Sequence, residues 1–403
     1  MRFPTFLTAP LIAALAFASP VAMANPDVSD WDAVSQAAQG QTVYWHAWGG
    51  STATNDFIAW IGDRAEQQGV RLEHVKLSDT ADAVGTVLTE LQAGRETGGS
   101  VDLIWINGAN FASMKSVGLL FGPFAEQLPN WQYVDVDGKT VTRDFTVPTE
   151  GYESPWAMAQ LVFVYDSARV PEPPKNAARL LQWAQENPGR FTYPQPPDFL
   201  GTTFLKQMLI ELVPDPAVLQ DPVDEDYEDV TAILWDYLDQ LTPYLWRQGR
   251  AYPETGPRQL QLINDGETDI AFSFSPGEAT TAIANFDLPE TVRTYVLDGG
   301  TLGNASFVAI PFNSSSKEGA MVVANILLSP EAQLRAQTPG ILGYGTVLDM
   351  DRLPEADRAA FEALDLGIAT LSPAELGQAL PEPHPSWATR LADDWVARYG
   401  VAE

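Results

Sequence analysis

The stretch TVYWHAWGGSTATNDFIAWI, residues 42–61, carries the pattern on which the fold of this chain depends. An apolar run from Val43 to Trp48 ends at two glycines and a serine, and a helix-like apolar stretch follows. The run is apolar on both faces, as a parallel strand covered by helices should be. A strand, a glycine turn and a helix in succession indicate α/β architecture. The glycines also allow the main chain to approach a bound molecule.

Strand-like and helix-like runs alternate along most of the chain. Strands are predicted at 71–77, 101–106, 160–165 and 269–274, and helices at 56–68, 81–93, 177–186, 230–241, 317–328 and 330–336. The sequence ESPW at 153–156 is interpreted as a break before one of these strands. Because strands that alternate with helices form βαβ units, mainly parallel open sheets flanked by helices are expected.

The length of 403 residues exceeds the size at which one hydrophobic core stops growing, so two lobes with a ligand cleft between them are expected. The predicted division places residues 25–157 and 299–340 in lobe 1, and residues 158–298 and 341–403 in lobe 2. The chain is expected to cross between the lobes near 154–161 and near 297–306.

The N-terminus has the features of a secretory signal peptide. Arg2 provides a positive charge, Leu11–Phe17 is an apolar segment too short to span a bilayer, and Ala22–Ala24 has the small-x-small form of a cleavage site. We therefore interpret residues 1–24 as a signal peptide. A retained membrane anchor is the alternative.

The composition restricts both the location and the chemistry. The absence of cysteine excludes disulfides, a thiol nucleophile and a lipid-modified N-terminal cysteine, so a free periplasmic protein is expected. The net charge of −30 repels nucleic acid and anionic membranes. An acidic surface of this kind does not establish that the ligand is a cation.

Motifs for catalysis, cofactors and metals are missing. The three histidines, His46, His74 and His384, are interpreted as structural, and no GxSxG, HExxH, GxGxxG or Walker A motif is present. The sequence DVDGKTVTRD at 135–144 lacks acidic positions of a calcium loop, and a hairpin turn at Asp137-Gly138 is predicted instead. No catalytic residue, cofactor or metal is expected. A pair of carboxylates, as in glycoside hydrolases, stays open.

Four predicted strands end in loops of small or amide-bearing residues, where open α/β sheets bind ligands. The loops at 47–56, 105–113, 193–205, 272–281 and 298–306 contain no lysine or arginine. The candidate ligand-binding residues are Trp48, Gly49, Ser51, Asn107, Asn110, Trp156, Thr202, Thr203, Ser275 and Glu278.

Each candidate has a structural alternative. The polar residues would hydrogen-bond the ligand or cap the following helices. The two tryptophans would stack on a ring or hold a cation, whereas Trp105 and Phe274 are expected in the core. A neutral or cationic organic solute, such as a sugar, a thiamine-like compound or a polyamine, is therefore expected.

Four longer segments, taken in order, resemble one family. They are VDLIWINGANFASMKSVGLLFGP (101–123), SPWAMAQLVFVYDSARVPEPPKNAARLLQWAQENPGRFTYPQPPDFLGTTFL (154–205), LINDGETDIAFSFSP (262–276) and AIPFNSSSKEGAMVVANILLSPEAQ (309–333). Together they are similar to family 1 of the extracellular solute-binding proteins of ABC importers, which have the type II periplasmic binding protein fold. The C-terminal sequence EPHPSWATRLADDW (382–395) resembles the YnjB-type branch.

The resemblance implies a binding protein without enzymatic turnover. It would capture a small solute by hinge closure and deliver it to a membrane permease with its ATPase, and we expect a monomer that binds no nucleic acid. Two other classes stay open at this stage: a secreted glycoside hydrolase that uses a carboxylate pair, and a structural or chaperone-like protein without a small ligand.

Overall fold

A computed structural model describes residues 27–400, so the predicted signal peptide at 1–24 lies outside the described residues. The strands in the described part of the chain are β1 Thr42–Trp48, β2 Arg71–Leu77, β3 Leu103–Ile106, β4 Arg143–Asp144, β5 Val147–Pro148, β6 Glu153–Gln160, β7 Val162–Asp166, β8 Ile270–Ser273, β9 Val292–Tyr295 and β10 Gly303–Ala309.

The helices in the same range are α1 Trp31–Ala37, α2 Thr52–Gln67, α3 Ala81–Gln92, α4 Ala109–Ser116, α5 Ala177–Glu186, α6 Phe199–Leu212, α7 Tyr227–Leu241, α8 Gly256–Asn264, α9 Glu278–Ala284, α10 Lys317–Leu327, α11 Pro330–Gln337, α12 Glu355–Glu362, α13 Pro373–Leu376 and α14 Pro385–Tyr399. None of the helices between residues 27 and 400 combines the length and the apolar character that a membrane span requires.

Two main sheets organise the molecule. Lobe 1 contains the five-stranded sheet β2-β1-β3-β10-β6, and lobe 2 contains the three-stranded sheet β8-β7-β9. Separate hydrophobic cores, centred on Trp45 and Trp156 in lobe 1 and on Phe163 and Phe204 in lobe 2, fill the spaces between these sheets and their helices. The predicted two-lobed α/β class is confirmed.

The strand directions differ from the prediction of mainly parallel sheets. β1 is parallel to β2 and β3, but β10 is antiparallel to β3 and β6, and β7 is antiparallel to β8 and β9. A parallel neighbour requires a long crossover connection. β7 and β10 instead enter their sheets directly from a strand of the other lobe, so the chain arrives in the opposite direction.

Strand β1 is covered on one face more than on the other. Val43, Trp45 and Ala47 are fully buried, whereas Tyr44 on the opposite face is 44% exposed. The expectation that both faces are covered is therefore wrong for the start of this strand, because aromatic residues are counted as apolar in a sequence pattern even where they face solvent.

The sequence ESPW forms part of β6, so the predicted break at 153–156 is wrong. β6 lies at the edge of the sheet, and its register shifts where Ser306 faces Ala157 and Phe307 faces Pro155. Trp156 is the extra residue of this bulge. An edge strand with a bulge tolerates proline because the missing N–H breaks no required ladder hydrogen bond.

Two crossings connect the lobes close to the expected positions. β6 ends at Gln160 in lobe 1 and β7 begins at Val162 in lobe 2, and the chain returns between β9 and β10. The crossings are joined by the hydrogen bond from Leu161 N to Leu302 O at 2.8 Å. A main-chain hydrogen bond therefore joins the two crossings at the boundary between the lobes.

The C-terminal part of the chain packs on both lobes, although it was expected in lobe 2. Residues of the core of lobe 1 include Leu342, Val347, Leu348, Leu353 and Phe361. Trp387, Leu391 and Trp395 belong to the core of lobe 2. The other boundaries of the predicted division into lobes stay a prediction.

Candidate ligand-binding site

The loop after β1 is filled by side chains of the protein itself. A Cβ atom on Gly49 would lie 2.6 Å from the side chain of Lys76, and one on Gly50 would lie 2.4 Å from the Trp48 indole. Ser51 caps α2 by accepting a hydrogen bond from Thr54 N. These glycines therefore make room for Lys76 and Trp48, and contact of Trp48, Gly49 or Ser51 with a ligand stays a prediction.

Asn107 and Gly108 lie at the carboxyl end of β3, on the boundary between the lobes. The side chain of Asn107 donates to Ala305 O at 2.6 Å, and Gly108 N donates to Asp144 Oδ2 at 2.5 Å. Gly108 has a φ of +57° immediately before α4, a conformation that favours glycine. Asn110 is half-buried in the first turn of α4.

Trp156 is buried in the core of lobe 1, with 1% of its surface exposed. Its ring packs edge-to-face against Trp105 at a centroid distance of 4.8 Å, stacks on Phe57 at 5.8 Å and meets Tyr344 at 5.9 Å. In this arrangement neither face of the indole is free for a guest. Its contact with a ligand stays a prediction that requires these neighbours to move.

Thr202 and Thr203 lie in the first turns of α6 in lobe 2 and are buried there. Thr203 Oγ1 donates to Phe199 O at 2.8 Å, within the helix. The helix begins after Asp198, whose side chain accepts hydrogen bonds from Leu200 N and Gly201 N. Burial raises the pKa of Asp198 to about 6, although these two hydrogen bonds favour its charged form.

Ser275 lies where the two lobes touch, and its contact with a ligand stays a prediction. Its hydroxyl donates to Leu342 O at 2.8 Å, and Gly277 N donates to Gly343 O at 3.0 Å. A Cβ atom on Gly277 would lie 2.5 Å from Gly343 Cα, so the two main chains are in direct contact. We call this contact of residues 275–277 with 342–343 the glycine seam.

Glu278 begins α9 beside the glycine seam and accepts a short hydrogen bond from Ser273 Oγ. Burial raises the pKa of its carboxyl group. Glu278 therefore has a partner within the protein, and its role toward a ligand stays a prediction.

A buried ion pair in lobe 2 was not predicted. Lys206 Nζ lies 2.5 Å from Glu382 Oε2, and the two side chains are 2% and 1% exposed. Asn304 donates to the other oxygen, Glu382 Oε1, at 3.1 Å. The Lys206 ammonium also lies 4.7 Å from the ring centroid of Phe145, which belongs to lobe 1. Side chains from both lobes therefore meet at this point.

Two further buried carboxyl groups lie on the lobe 1 side of the same contact. Asp144 and Glu153 are both fully buried. Asp144 Oδ1 and both carboxyl oxygens of Glu153 have no hydrogen-bond partner among residues 27–400. Burial raises the pKa of both groups well above the ordinary range, and the charges of Glu382 on Asp144 and of Asp144 on Glu153 act in the same direction.

We call the contact formed by Asp144, Phe145, Lys206 and Glu382 the interlobe charge cluster. Sequence reasoning missed it for three separate reasons. Asp144 ends a segment assigned to a turn, and the hairpin in fact forms further on, from β4 and β5 with Phe145 in its turn. Lys206 lies one residue beyond the loop at 193–205. Glu382 lies in the C-terminal EPHPSW sequence, whose acidic residue gave no signal of its own.

The histidines hold local structure. His74 Nε2 lies 3.1 Å from Ala47 O, and His384 caps α14 through Ser386. Burial lowers the pKa of all three, His46 included. In the described part of the chain no group of three or more histidine and acidic side chains is arranged to hold a metal ion.

A surface groove of about 260 Å³ lies elsewhere on lobe 1, lined by Trp60, Arg64, Glu331 and Arg335 among others. The guanidinium groups of Arg64 and Arg335 lie 4.1 and 4.8 Å from the Trp60 ring. The groove is formed by residues of α2 and α11 and its continuation, so it is separate from the interlobe charge cluster.

The comparisons with known proteins agree on one family. The family model described as bacterial extracellular solute-binding protein matches residues 59–350. Protein YnjB of Escherichia coli (strain K12) is 45% identical over 375 residues, which cover 93% of this chain and 95% of that protein.

Solved structures support the same fold. The periplasmic binding protein AfuA from Actinobacillus pleuropneumoniae, solved with exogenous fructose-6-phosphate bound, has a TM-score of 0.63 and 13% identity, covering 90% of this chain and 99% of that chain. A putative spermidine/putrescine ABC transporter from Listeria monocytogenes has a TM-score of 0.58 and 17% identity, covering 88% and 98%. At these identities the structural matches show the fold alone.

Proposed function

This chain belongs to the bacterial extracellular solute-binding proteins, and from that premise we propose that its solute lies between the two lobes and passes unchanged to the permease of an ABC importer. The observation that carries the proposed position is the interlobe charge cluster. Polar and charged side chains from lobe 1 and lobe 2 converge there, beside the second main-chain crossing, where Asn304 near the start of β10 donates to Glu382. Ligands of open α/β folds bind at such strand ends.

The proposed cycle is a hinge closure. Lobe 1 and lobe 2 separate to admit the solute, and closure brings the hairpin β4–β5 back onto α6. Because Phe145 already approaches Lys206 to 4.7 Å, the structure has the lobes in contact. A permease that recognises only the closed form would then distinguish loaded from empty protein.

The proposed location is the periplasm, reached through the signal peptide at 1–24, with the mature protein acting as a soluble monomer. The family supports export, and the absence of cysteine from the sequence rules out a lipid-modified N-terminal cysteine. The proposed partners are the small solute, the permease and, through the permease, its ATPase. No cofactor and no catalytic residue is assigned.

The proposed ligand is a neutral or cationic organic solute, such as a sugar, a thiamine-like compound or a polyamine. The cluster contains two buried acidic side chains, Asp144 and Glu382, and one lysine, Lys206, and this preponderance of acidic groups supports this class. One protein of similar fold was solved with fructose-6-phosphate bound and another is described as a putative spermidine/putrescine ABC transporter, so the fold by itself does not select the class of solute.

A thermal-shift screen of the purified mature protein over periplasmic nutrients tests the proposed function, with native mass spectrometry of any ligand that co-purifies. A ligand at 100 times its Kd adds about 2.7 kcal/mol to the free energy of unfolding. We expect one solute to bind and to be recovered unaltered. Turnover of the bound solute would contradict the proposal and favour a hydrolase, for which the comparisons give no support. Failure of every solute to bind would favour a structural protein.

A further inference from the structure

The interlobe charge cluster has one unfilled hydrogen-bonding position. Asp144 is fully buried, its Oδ2 accepts the Gly108 N–H, and its Oδ1 meets no donor among the described residues. Resting on the proposed function, we infer that Asp144 is the anchor of an ammonium subsite: its Oδ1 accepts hydrogen bonds from a protonated amine of the solute when the lobes close. None of the candidate residues predicted from the sequence includes this side chain.

The ion pair beside Asp144, formed by Lys206 and Glu382, is already complete. Lys206 is neutralised by Glu382 at 2.5 Å, and the second oxygen of Glu382 is held by Asn304. The side chain of Asn107 approaches Asp144 but directs a 2.6 Å hydrogen bond to Ala305 O. Asp144 is therefore the member of the cluster with a vacant acceptor.

The buried charges at the cluster favour a cationic over an anionic solute. Glu382 neutralises the Lys206 ammonium, while the other two buried acids, Asp144 and Glu153, have no cation as a hydrogen-bonded partner among the described residues. An anionic solute would have to displace Glu382 from Lys206 and would then face the remaining carboxylates. A cationic group instead pairs with Asp144 as that carboxyl group ionises, and pairing a buried charge removes most of its cost.

Aromatic rings lie beside Asp144. Phe145 follows Asp144 in the hairpin, and its ring lies over the Lys206 ammonium at 4.7 Å, with Phe199 at 5.8 Å. Phe145 has a φ of +52°, and a Cβ atom on Gly108 would lie 2.9 Å from its ring. The aromatic surface beside Asp144 is therefore one that accommodates an ammonium group.

Binding of an ammonium group at Asp144 is coupled to the loss of the proton of its carboxyl group. Burial, with the charge of Glu382, raises the pKa of Asp144, while Gly108 N, Asn107 and Lys206 act in the opposite direction. Burial and the charge of Asp144 raise the pKa of Glu153, and Lys115 acts in the opposite direction. An ammonium guest stabilises the ionised carboxylate. Binding therefore releases a proton from Asp144 and becomes tighter as pH rises, as long as the amine keeps its own proton.

The test is calorimetric titration of the intact mature protein with three matched probes: butane-1,4-diamine, butane-1,4-diol and succinate. The diamine is expected to bind at least tenfold more tightly than the other two. In two buffers of different ionisation enthalpy, the difference in apparent binding enthalpy is expected to report proton release. Asp144→Asn should lose at least tenfold in diamine affinity and lose the proton release.

Asp137→Asn is the matched control, because Asp137 is a strongly exposed acid of the same segment. It should bind the diamine as the wild type does. Tighter binding of the diol or of succinate, or unchanged diamine affinity in a folded Asp144→Asn variant, would overturn the ammonium subsite and leave the solute-binding function intact. If Asp144→Asn fails to fold, absence of proton release in the wild type overturns the inference. Failure of the nutrient screen would instead remove the function on which the subsite rests.

Discussion

Two pairs of buried ionisable residues, one on each side of the lobe boundary, differ in whether their charges are compensated. On the lobe 2 side, Lys206 and Glu382 neutralise each other at 2.5 Å. On the lobe 1 side, Asp144 and Glu153 are equally buried, and neither has a cation as a hydrogen-bonded partner among the described residues. The comparison shows that burial alone does not determine the effect of a charge on stability. Whether the loss of a buried acid destabilises the protein therefore depends on whether it leaves a charged partner uncompensated.

The largest effect is expected from removing one partner of the satisfied pair. Glu382→Met leaves the Lys206 ammonium buried without a counter-charge, and we expect a loss of about 3–5 kcal/mol in the free energy of unfolding at pH 7. Urea denaturation measures it. Glu362→Met, at a glutamate that is mostly exposed, is the control. A loss no larger than that of the control would show that Lys206 finds another partner, and the contrast between the two pairs would fail.

The next effect concerns the pH dependence of stability in lobe 2. The pKa of Asp198 is about 6 in the folded protein, above its ordinary value of 3.8. Its contribution to stability is therefore complete below about pH 4 and is lost as the pH rises through 6, which amounts to about 3 kcal/mol. Asp198→Asn keeps a helix-capping side chain. We expect its unfolding free energy to fall less between pH 4 and 7 than that of the wild type, and parallel curves would refute this.

A smaller effect of opposite sign is expected at the unpaired site. Glu153→Met replaces a buried carboxyl group that has no hydrogen-bond partner among residues 27–400 by an apolar side chain of similar size. Because the wild-type group must be kept protonated or bear an unpaired charge, we expect a gain of about 1–2 kcal/mol at pH 7. The gain should shrink toward pH 4, where the unfolded chain is protonated as well. The same denaturation series measures it beside Glu382→Met, and a loss at pH 7 would remove the comparison.

The smallest effect sets the scale for exposed charges. Arg64 and Glu331 form a 2.7 Å ion pair whose side chains are 29% and 63% exposed. Water and salt screen such a pair, so Glu331→Gln should change the free energy of unfolding by less than about 1 kcal/mol. Thermal or urea unfolding at low and high salt measures this. A loss comparable to that of Glu382→Met would mean that distance, rather than burial, governs both pairs.

The sequence predicted the elements of this fold better than their arrangement. The strand at 71–77 and the helix at 177–186 coincide with β2 and α5, because their apolar runs are bounded by glycine, proline and asparagine. β6 was missed because Pro155 and Glu153 contradict the usual strand composition. Only the three-dimensional structure shows that the proline lies at a bulge in an edge strand.

The interlobe charge cluster was beyond prediction for a different reason. Asp144, Lys206 and Glu382 are far apart in the sequence, and no periodicity links a hairpin, a helix and a C-terminal segment. Glycine-rich strand ends did indicate where the chain turns at the lobe boundary. They did not indicate whether another side chain or a guest fills the space beside each glycine, as Gly49 and Gly50 illustrate.

The glycine seam has a consequence for engineering. At Gly277 and Gly343 the two main chains touch, and a single methyl group on either would lie within 2.5 Å of the opposite Cα. Substituting alanine, valine or leucine at Gly277 would place side chains of increasing size between the two main chains. Such a series would yield variants whose lobes are separated by graded amounts. The distance between dyes on the two lobes, measured across the series, would then calibrate the opening of the wild-type protein.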